Sequence, residues 1–167
     1  MSGSRPPLDF DPVEAASALW AEQWGETPRM RAVTSLMRVH QLVLTELDEL
    51  LRPLGLTFAR YEVLVLLTFS RRGALPLGKI GERLQVHATS VTPLVKRLEV
   101  AGLLRRNPHP EDGRAVLASI TEQGRAVVQQ ASDLIVDAQF ALGSLTEDEA
   151  ESLTTLLRTP RSAAGDF

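Results

Sequence analysis

Residues 77–124 read LGKIGERLQVHATSVTPLVKRLEVAGLLRRNPHPEDGRAVLASITEQG, and the pattern of this stretch decides the fold. Apolar residues first recur at three- and four-residue intervals, which is typical of helices, and then form two short runs separated by a loop that contains Pro and Gly. The pattern predicts helices over about 77–84 and 88–101 and strands over 103–106 and 114–120. A helix-turn-helix followed directly by a β-hairpin is the order of elements that places one helix in a DNA major groove with a β-arm beside it.

The second predicted helix has an outer face that suits contact with nucleic acid. Its predicted inward residues are apolar: Val91, Leu94, Val95 and Leu98. On the other side we predict DNA contacts from small, hydroxyl-bearing and basic residues: Thr89, Ser90, Thr92, Pro93, Lys96 and Arg97. Hydroxyl groups bond to phosphates or base edges, and arginine binds guanine through two hydrogen bonds. Helix capping is an alternative role for Thr89 and Ser90, and it is compatible with DNA contact.

The distribution of charge supports this interpretation. The whole chain has a net charge of −3, but residues 71–114 hold nine basic and four acidic residues and so carry +5, which leaves −8 for the remainder. Attraction to phosphates depends on the local charge rather than on the net charge. A merely solvated charged face is the alternative, and the coincidence of the positive segment with the helix-turn-helix favours DNA.

Helical patterns flank this segment on both sides. We predict helices over 12–24, 29–52, 57–70, 122–142 and 146–158, the last opened by a capping box, Thr146-Glu-Asp-Glu149. The apolar stripe of 29–52 is longer than the core of a small domain needs, which predicts a partner surface. His40 lies on this stripe and is predicted to be a buried core histidine. Residues 1–8 are polar and Pro-rich and are predicted to be a mobile tail.

Composition argues against several classes of protein. The chain contains 44% hydrophobic and 23% charged residues and no cysteine, which excludes disulfide frameworks, cysteine-based zinc sites and thiol redox switches. His40, His87 and His109 are too scattered for a metal set, and neither a metal nor a cofactor is predicted. No signal peptide or membrane span is apparent, so we predict a cytoplasmic protein with no membrane partner. An enzyme is not predicted, because the sequence has no nucleophile elbow, phosphate loop, dinucleotide Gly motif or convincing acid/base pair.

Four motifs occur in a fixed order along the chain. They are the helix start Gly55-Leu56-Thr57, the segment TSVTPLVKRLE of residues 89–99 with AGLLRR of 101–106, the hairpin sequence Asp112-Gly113-Arg114, and the close LASITEQG of residues 117–124. Each motif alone is unspecific. Together, over about residues 30–158, they resemble the MarR family of winged helix-turn-helix regulators.

The resemblance implies a mainly α protein with a small β-wing that works as an intertwined two-fold dimer. It divides the sequence into an N-terminal tail and extra helix (1–28), a dimerisation helix (29–52), a winged helix-turn-helix DNA-binding domain (55–120), C-terminal dimerisation helices (121–159) and a flexible tail (160–167). The implied function is a ligand-responsive repressor that binds a pseudo-palindromic, double-stranded operator as a homodimer. A two-fold dimer presents two recognition helices about one DNA turn apart, ~34–36 Å.

The wing pattern adds candidate DNA contacts. In the family, the arginine of this pattern enters the minor groove and the aspartate helps to hold the hairpin, and the resemblance gives these roles to Arg114 and Asp112. Arg106, at the base of the hairpin, joins the predicted contacts. An ordinary surface pair of Asp and Arg in a turn is the alternative. Thr92-Pro93-Leu94 resembles the organic-hydroperoxide-sensing branch, but that branch senses through a reactive cysteine, which this chain lacks.

Many members of the family bind small anionic or phenolic ligands in a cleft between the DNA-binding lobe and the dimer helices. The residues that the resemblance places at such a cleft are Trp20, Trp24, His40, Arg60, Tyr61 and Glu62. A small aromatic or anionic effector is therefore a predicted partner. Packing that docks the extra helix is the alternative role for the two tryptophans.

Two other functions stay open from the sequence alone. A winged helix used for protein–protein contact would present an apolar or acidic outer face on helix 88–101, where this chain has hydroxyl groups, Lys96 and Arg97. A DNA-binding regulator with no small-molecule effector fits the same residues. Salt-sensitive binding to DNA separates a regulator from the protein–protein module.

Overall fold

The computed structural model describes residues 8–25, 28–109 and 115–167. Its helices are α1 (Pro12–Trp24), α2 (Pro28–Leu51), α3 (Phe58–Phe69), α4 (Leu77–Leu84), α5 (Ala88–Val100), α6 (Glu122–Asp137) and α7 (Glu147–Ala163), and its strands are β1 (Ala74–Pro76), β2 (Leu104–Pro108) and β3 (Val116–Ile120). Short 3-10 segments follow α2 at Arg52–Leu54 and α6 at Gln139–Ala141. The predicted helix-turn-helix followed by a hairpin is confirmed. Over the described ranges, no helix is both long and apolar enough to cross a membrane.

The core lies between α3 and the helix-turn-helix. α3 buries Val63, Leu64 and Leu67 completely, and each such side chain contributes about 1.5–3 kcal/mol on leaving water. Residues of the two following helices join the same cluster: Ile80, Val91, Val95 and Leu98. Because α5 is held by one apolar face, its opposite face is left to solvent.

The strands form an antiparallel sheet in the order β1-β3-β2. β2 pairs with β3 from Leu104↔Ile120 to Pro108↔Val116, which is the predicted hairpin. β1 is a strand that the sequence pattern does not predict, and it pairs with residues 117–119 of β3. Three residues are too few to show alternation, and Pro76 has no N–H to donate, so only the pairing with β3 makes this segment a strand.

The C-terminal helices end at other residues than the pattern predicts. α6 ends at Asp137 rather than near 142, because the 3-10 segment after it contains left-handed φ angles of 49° to 58° at Gln139, Phe140 and Ala141. α7 runs to Ala163, so the predicted tail 160–167 begins inside a helix. Pro160 lies in the last turns, where a missing N–H removes one backbone hydrogen bond without ending the helix.

The terminal helices bury little of their apolar surface within one chain. α2 buries only Leu47 and Leu51, at its C-terminal end, and α7 buries none of its residues, all of which are described. The exposed apolar side chains of these helices include Leu19, Trp20, Trp24, Val33, Leu36, Met37, Val39, Leu42 and Leu156. The prediction that His40 is buried is wrong, because His40 lies on the exposed part of α2, before the end that packs on the core.

Candidate nucleic-acid interface

A histidine cap begins α5. His87 is the N-cap residue, and its Nδ1 accepts a hydrogen bond from the backbone N–H of Thr89 at 3.3 Å and lies 2.8 Å from the Thr89 hydroxyl. The backbone N–H of Ser90 donates to the carbonyl of His87 at 2.8 Å. The capping role that the sequence left open for Thr89 and Ser90 therefore belongs to His87, which satisfies a backbone donor that a helix start leaves unpaired.

The two faces of α5 are separated as its pattern predicts. Val91, Val95 and Leu98 are at most 1% exposed. The residues of the opposite face are all exposed: Thr89, Ser90, Thr92, Pro93, Lys96 and Arg97. Pro93 is in the second turn, where it removes one backbone hydrogen bond without breaking the helix. The result is an exposed helix face of hydroxyl groups and cations, and the core holds the opposite face of this helix.

Cations dominate the surface around α5. Residues 71–109 contain eight basic and two acidic residues, which gives +6. Both acidic side chains form ion pairs inside this segment, Glu82 with Lys79 at 2.7 Å and Glu99 with Arg106 at 2.6 Å. The other cations are exposed: Arg71, Arg72, Arg83, Lys96, Arg97 and Arg105. A local positive surface of this kind attracts polyanions, and its attraction weakens as salt increases.

Arg106 stands apart from the other predicted DNA contacts. Its guanidinium Nε donates to Glu99 Oε2 at 2.6 Å, and its backbone N–H donates to Glu99 Oε1 at 3.2 Å. Sequence reasoning did not single out Glu99. The available signal was an acidic residue at the end of α5, seven residues before a basic residue in β2, with Gly102 forming the turn between them.

Asp112 and Arg114, the two other predicted wing residues, follow β2 in the sequence. Asp112 and Arg114 both lie outside the described residues. The described ends of the hairpin come together at the backbone hydrogen bond from His109 N–H to the carbonyl of Ala115, 3.0 Å. The sheet thus holds the end of β2 and the beginning of β3 side by side.

A comparison with known proteins agrees with this architecture. A family model described as MarR family matches residues 58–116, which include the helix-turn-helix and most of the hairpin. The organic hydroperoxide resistance transcriptional regulator of Bacillus subtilis is 34% identical over 113 residues, which are 66% of this chain and 76% of that protein. The chain belongs to the MarR family. Like the other members, it is a DNA-binding transcriptional regulator and not an enzyme.

Solved structures of MarR family members have the same fold. Sco5413, a MarR family transcriptional regulator from Streptomyces coelicolor, is 50% identical, with a TM-score of 0.80 over 84% of this chain and 98% of that one. Sco3205, from the same organism and solved in complex with DNA, is 27% identical, with a TM-score of 0.74 over 82% of this chain and 88% of that one. The winged helix-turn-helix assignment for this MarR family chain is thereby confirmed.

The N-terminal helix α1 carries two of the predicted effector residues. Val13 is the residue that α1 buries, and Glu14 pairs with Arg31 of α2. The rings of Trp20 and Trp24 lie 4.7 Å apart and stay exposed, at 39% and 69%. An open cavity of about 350 Å³ lies between α1 and α2, and it is lined by Asp11, Pro12, Val13, Glu14, Ser35, Arg38, Val39 and Leu42. None of the six predicted effector residues lines this cavity.

The predicted effector residues of α3 lie near the C-terminal helices. Tyr61 is buried, and its hydroxyl lies 2.9 Å from the Ser132 hydroxyl on α6. Arg60 donates from Nη1 to the carbonyl of Gly55 at 2.8 Å, so it braces its own helix start. Glu62 is half-buried, and this burial raises the pKa of its carboxyl above the ordinary value. Tyr61 and Arg60 therefore each have a hydrogen-bond partner within the same chain.

The turn of the helix-turn-helix contacts the C-terminal end of the chain. Gln85 ends α4 with a left-handed φ of 52°, and its side-chain amide donates to the carboxylate of Asp166. The same carboxylate accepts a hydrogen bond from Arg161 Nε at 2.6 Å, and the Phe167 ring lies beneath the guanidinium of Arg158 at 4.8 Å. Nothing in the local sequence predicts this contact, because Gln85 and Asp166 are 81 residues apart.

Proposed function

We propose that this MarR family regulator binds a pseudo-palindromic operator as a two-fold dimer, with α5 of each chain in a major groove. The observation that carries the proposal is the outer face of α5, which is exposed, bears hydroxyl groups and two cations, and lies on a lobe with a charge of +6. The core holds this helix from the other side, so its groups meet DNA without rearrangement.

Each exposed group of α5 has a role in this proposal. Thr89, Ser90 and Thr92 bond to phosphates or base edges near the start of the helix, and Lys96 binds phosphate. Arg97 reads guanine or binds phosphate, according to its register in the groove. Pro93 contributes apolar contact rather than a hydrogen bond. The wing contributes Arg114 in the minor groove and Asp112 as its support.

The exposed apolar side chains of the terminal helices support the homodimer. Val33, Leu36, Met37 and Leu42 of α2 are between 43% and 62% exposed, and Leu156 of α7 is 71% exposed. Large apolar side chains exposed in such number on a monomer often mark interaction sites. We assign dimerisation to segments 29–52 and 121–159 and DNA binding to 55–120, with the extra helix and the tail 160–167 outside both.

We further propose that the regulator is a repressor whose DNA affinity falls when a small aromatic or anionic effector binds near Trp20, Trp24, His40, Arg60, Tyr61 and Glu62. The observation that favours this is the hydrogen bond from α3 to α6 through Tyr61 and Ser132, which joins the DNA-binding lobe to a dimerisation helix. An effector that moved this junction would change the spacing of the two α5 helices and so shift the population away from the DNA-binding state.

The first test is binding to the chain's own upstream intergenic DNA at several salt concentrations. We expect tight binding that weakens with salt. Arg97→Ala and Arg114→Ala should each lose affinity and lower the slope of log K against log salt by about 0.9 for each phosphate contact removed. Arg52→Ala is the matched control, because Arg52 is exposed at the end of α2 and pairs with Glu49 away from this surface.

A protein–protein module would behave differently. It would bind this DNA weakly, with no difference between operator and unrelated sequence, and Arg97→Ala and Arg52→Ala would have equal effects. The effector proposal has a separate test, in which benzoate serves as a small aromatic anion and release of operator is measured by fluorescence anisotropy. If Tyr61→Phe or Glu62→Gln alters the release of operator, this supports an effector site at these residues. If both variants release operator as the natural chain does, the effector binds elsewhere.

A further inference from the structure

One carboxylate joins the end of the recognition helix α5 to the wing. Glu99 lies in the last turn of α5, and Arg106 is the third residue of β2. Glu99 Oε2 accepts from Arg106 Nε at 2.6 Å, while Oε1 accepts from the backbone N–H of the same residue at 3.2 Å. Both side chains are about one-third exposed, at 33% and 35%. The contact is therefore fixed at two points, one on the main chain and one on the side chain.

The main-chain part of this contact matters because β2 is an edge strand. β3 pairs with β2 on one side and with β1 on the other, so within the described ranges one edge of β2 has no strand partner. The N–H of Arg106 is on that free edge, and Glu99 satisfies it. A hydrogen bond to a charged acceptor is stronger than one between two neutral groups. This bond holds the edge of the wing to the helix in place of a fourth strand.

The remaining bonds between the helix end and the hairpin lie closer to the turn. Leu103 N–H donates to the carbonyl of Leu98 at 3.0 Å, and the Thr121 hydroxyl donates to the carbonyl of Gly102 at 2.8 Å. Both hold residues that come before β2 begins. Leu104 of β2 packs into the core beside Leu98 of α5, and among the hydrogen bonds of the described residues those of Glu99 reach furthest into the strand. Glu99 therefore helps to fix the direction in which the wing leaves α5.

We infer that Glu99 is a positioning residue for DNA binding, which sets the wing at its angle to the recognition helix, and that Arg106 acts through Glu99 instead of contacting phosphate directly. The inference rests on the proposed operator binding, because only a protein that uses helix and wing together needs a fixed angle between them. The sequence predicts that Arg106 contacts DNA directly, and this inference replaces that role with one that acts through Glu99.

Glu99→Gln tests the positioning role. The amide retains an oxygen for the N–H of Arg106 but turns an acceptor into a donor opposite the guanidinium, so the two-point contact is lost. We expect operator affinity to fall about tenfold, a loss typical of one charge-assisted hydrogen bond. Affinity for unrelated DNA should stay equal or rise, because a negative charge beside the phosphates has been removed. Glu82→Gln is the matched control: it removes the same charge from the Lys79 pair in the same lobe and should not weaken operator binding.

Variants of Arg106 separate positioning from phosphate contact. If Arg106 acts through Glu99, Arg106→Ala matches the loss of Glu99→Gln, the double variant loses no more than either, and the salt slope is unchanged. Arg106→Lys, which retains one donor for Glu99, should recover part of the affinity. A direct phosphate contact instead predicts a slope lower by about 0.9 in Arg106→Ala and additive losses in the double variant, and this result would overturn the assignment.

Thermal unfolding and binding to unrelated DNA are measured for every variant. A Glu99→Gln protein with a lowered Tm and equal losses on operator and unrelated DNA has only lost folded material, which contradicts a positioning role. Unchanged operator affinity in Glu99→Gln also contradicts it, while the proposed function stands. If the natural chain itself binds no DNA, the proposed function fails, and the inference fails with it.

Discussion

Gly124, in the first turn of α6, lies against Leu103 and Ile120, and no side chain fits at this position. A Cβ at this position would overlap the carbonyl oxygen of Leu103 and lie 2.9 Å from Cγ1 of Ile120. The N–H of Gly124 donates to the Thr121 hydroxyl at 3.0 Å, so the backbone cannot move away without losing the helix cap. Glycine here allows the C-terminal helices to start directly against the turn between α5 and the wing.

We predict that Gly124→Ala destabilises the protein by about 1–3 kcal/mol, because the added methyl group overpacks a closed contact. Urea unfolding measures the change. Gly78→Ala is the control, since nothing lies within 4 Å of a Cβ at Gly78 in α4. That variant should gain a few tenths to about 1 kcal/mol, as expected where alanine replaces glycine in a helix without strain. Equal effects of the two substitutions would contradict the close approach.

Glu62 gives a second residue-scale prediction, through pH. Burial raises the pKa of its carboxyl, so the folded state binds a proton more readily than the unfolded state. Stability therefore falls as pH rises from the ordinary pKa of 4.5 through the folded value, and the ionised group stays unfavourable at neutral pH. Glu62→Gln should raise the free energy of unfolding at pH 7 and have no such benefit below pH 4.5. A benefit that is the same at both pH values would show that desolvation of the charge is not its cause.

At the scale of the element, α7 depends on its own cap. The sequence predicts a capping box, and the structure confirms it: Thr146 Oγ1 accepts from the N–H of Glu149, and Glu149 Oε2 accepts from the N–H of Thr146 at 2.9 Å. α7 buries none of its residues within one chain, so little tertiary packing replaces these bonds. Local chemistry therefore decides where this helix begins.

We predict that Thr146→Ala costs about 0.5–2 kcal/mol, as typical for the loss of an N-cap, and that the loss appears as faster amide hydrogen exchange confined to the first turns of α7. Thr155→Ala, in the middle of the same helix, is a control that leaves the cap intact. Exchange that speeds up equally across the whole protein would mean that α7 does not open locally.

The cap should also respond to pH. Hydrogen bonds from the backbone and side chain of Thr146 lower the pKa of the Glu149 carboxyl. Its contribution is therefore present above the ordinary pKa of 4.5 and is lost as pH falls through the lower, folded value. We expect an NMR titration of Glu149 to give a midpoint below 4.5 that returns towards 4.5 in Thr146→Ala.

For the molecule as a whole, the exposed apolar side chains of α2 support the proposed dimer. Leu36 is 43% exposed within one chain, and Val33, Met37 and Leu42 on the same helix are more exposed still. We predict that Leu36→Glu converts the proposed dimer into a monomer, because a buried, unpaired carboxylate at an interface costs more than about 2 kcal/mol. Sedimentation equilibrium measures the mass.

The same variant should lose operator affinity by at least about tenfold, since two linked half-site contacts become one. Phe69→Glu is the control, because Phe69 is 81% exposed at the end of α3 and outside the predicted dimerisation segments. A Leu36→Glu protein that stays dimeric would move the interface away from this part of α2.

The sequence by itself determined the parts of this protein that depend on neighbours along the chain. Apolar residues at helical spacing predicted α3, α4 and α5 close to their observed bounds, Thr146 and Glu149 predicted the start of α7, and the outward face of α5 followed from its buried face. These features are local because a helix closes its hydrogen bonds within four residues.

Only the tertiary structure decided the features that need residues far apart in the sequence. β1 exists because β3 pairs with it, and His40 is exposed because only the end of α2 reaches the core. Tyr61 likewise finds Ser132 across 71 residues. The physical reason is that pairing across a turn or between helices depends on the packing of the whole core, which residue spacing does not encode.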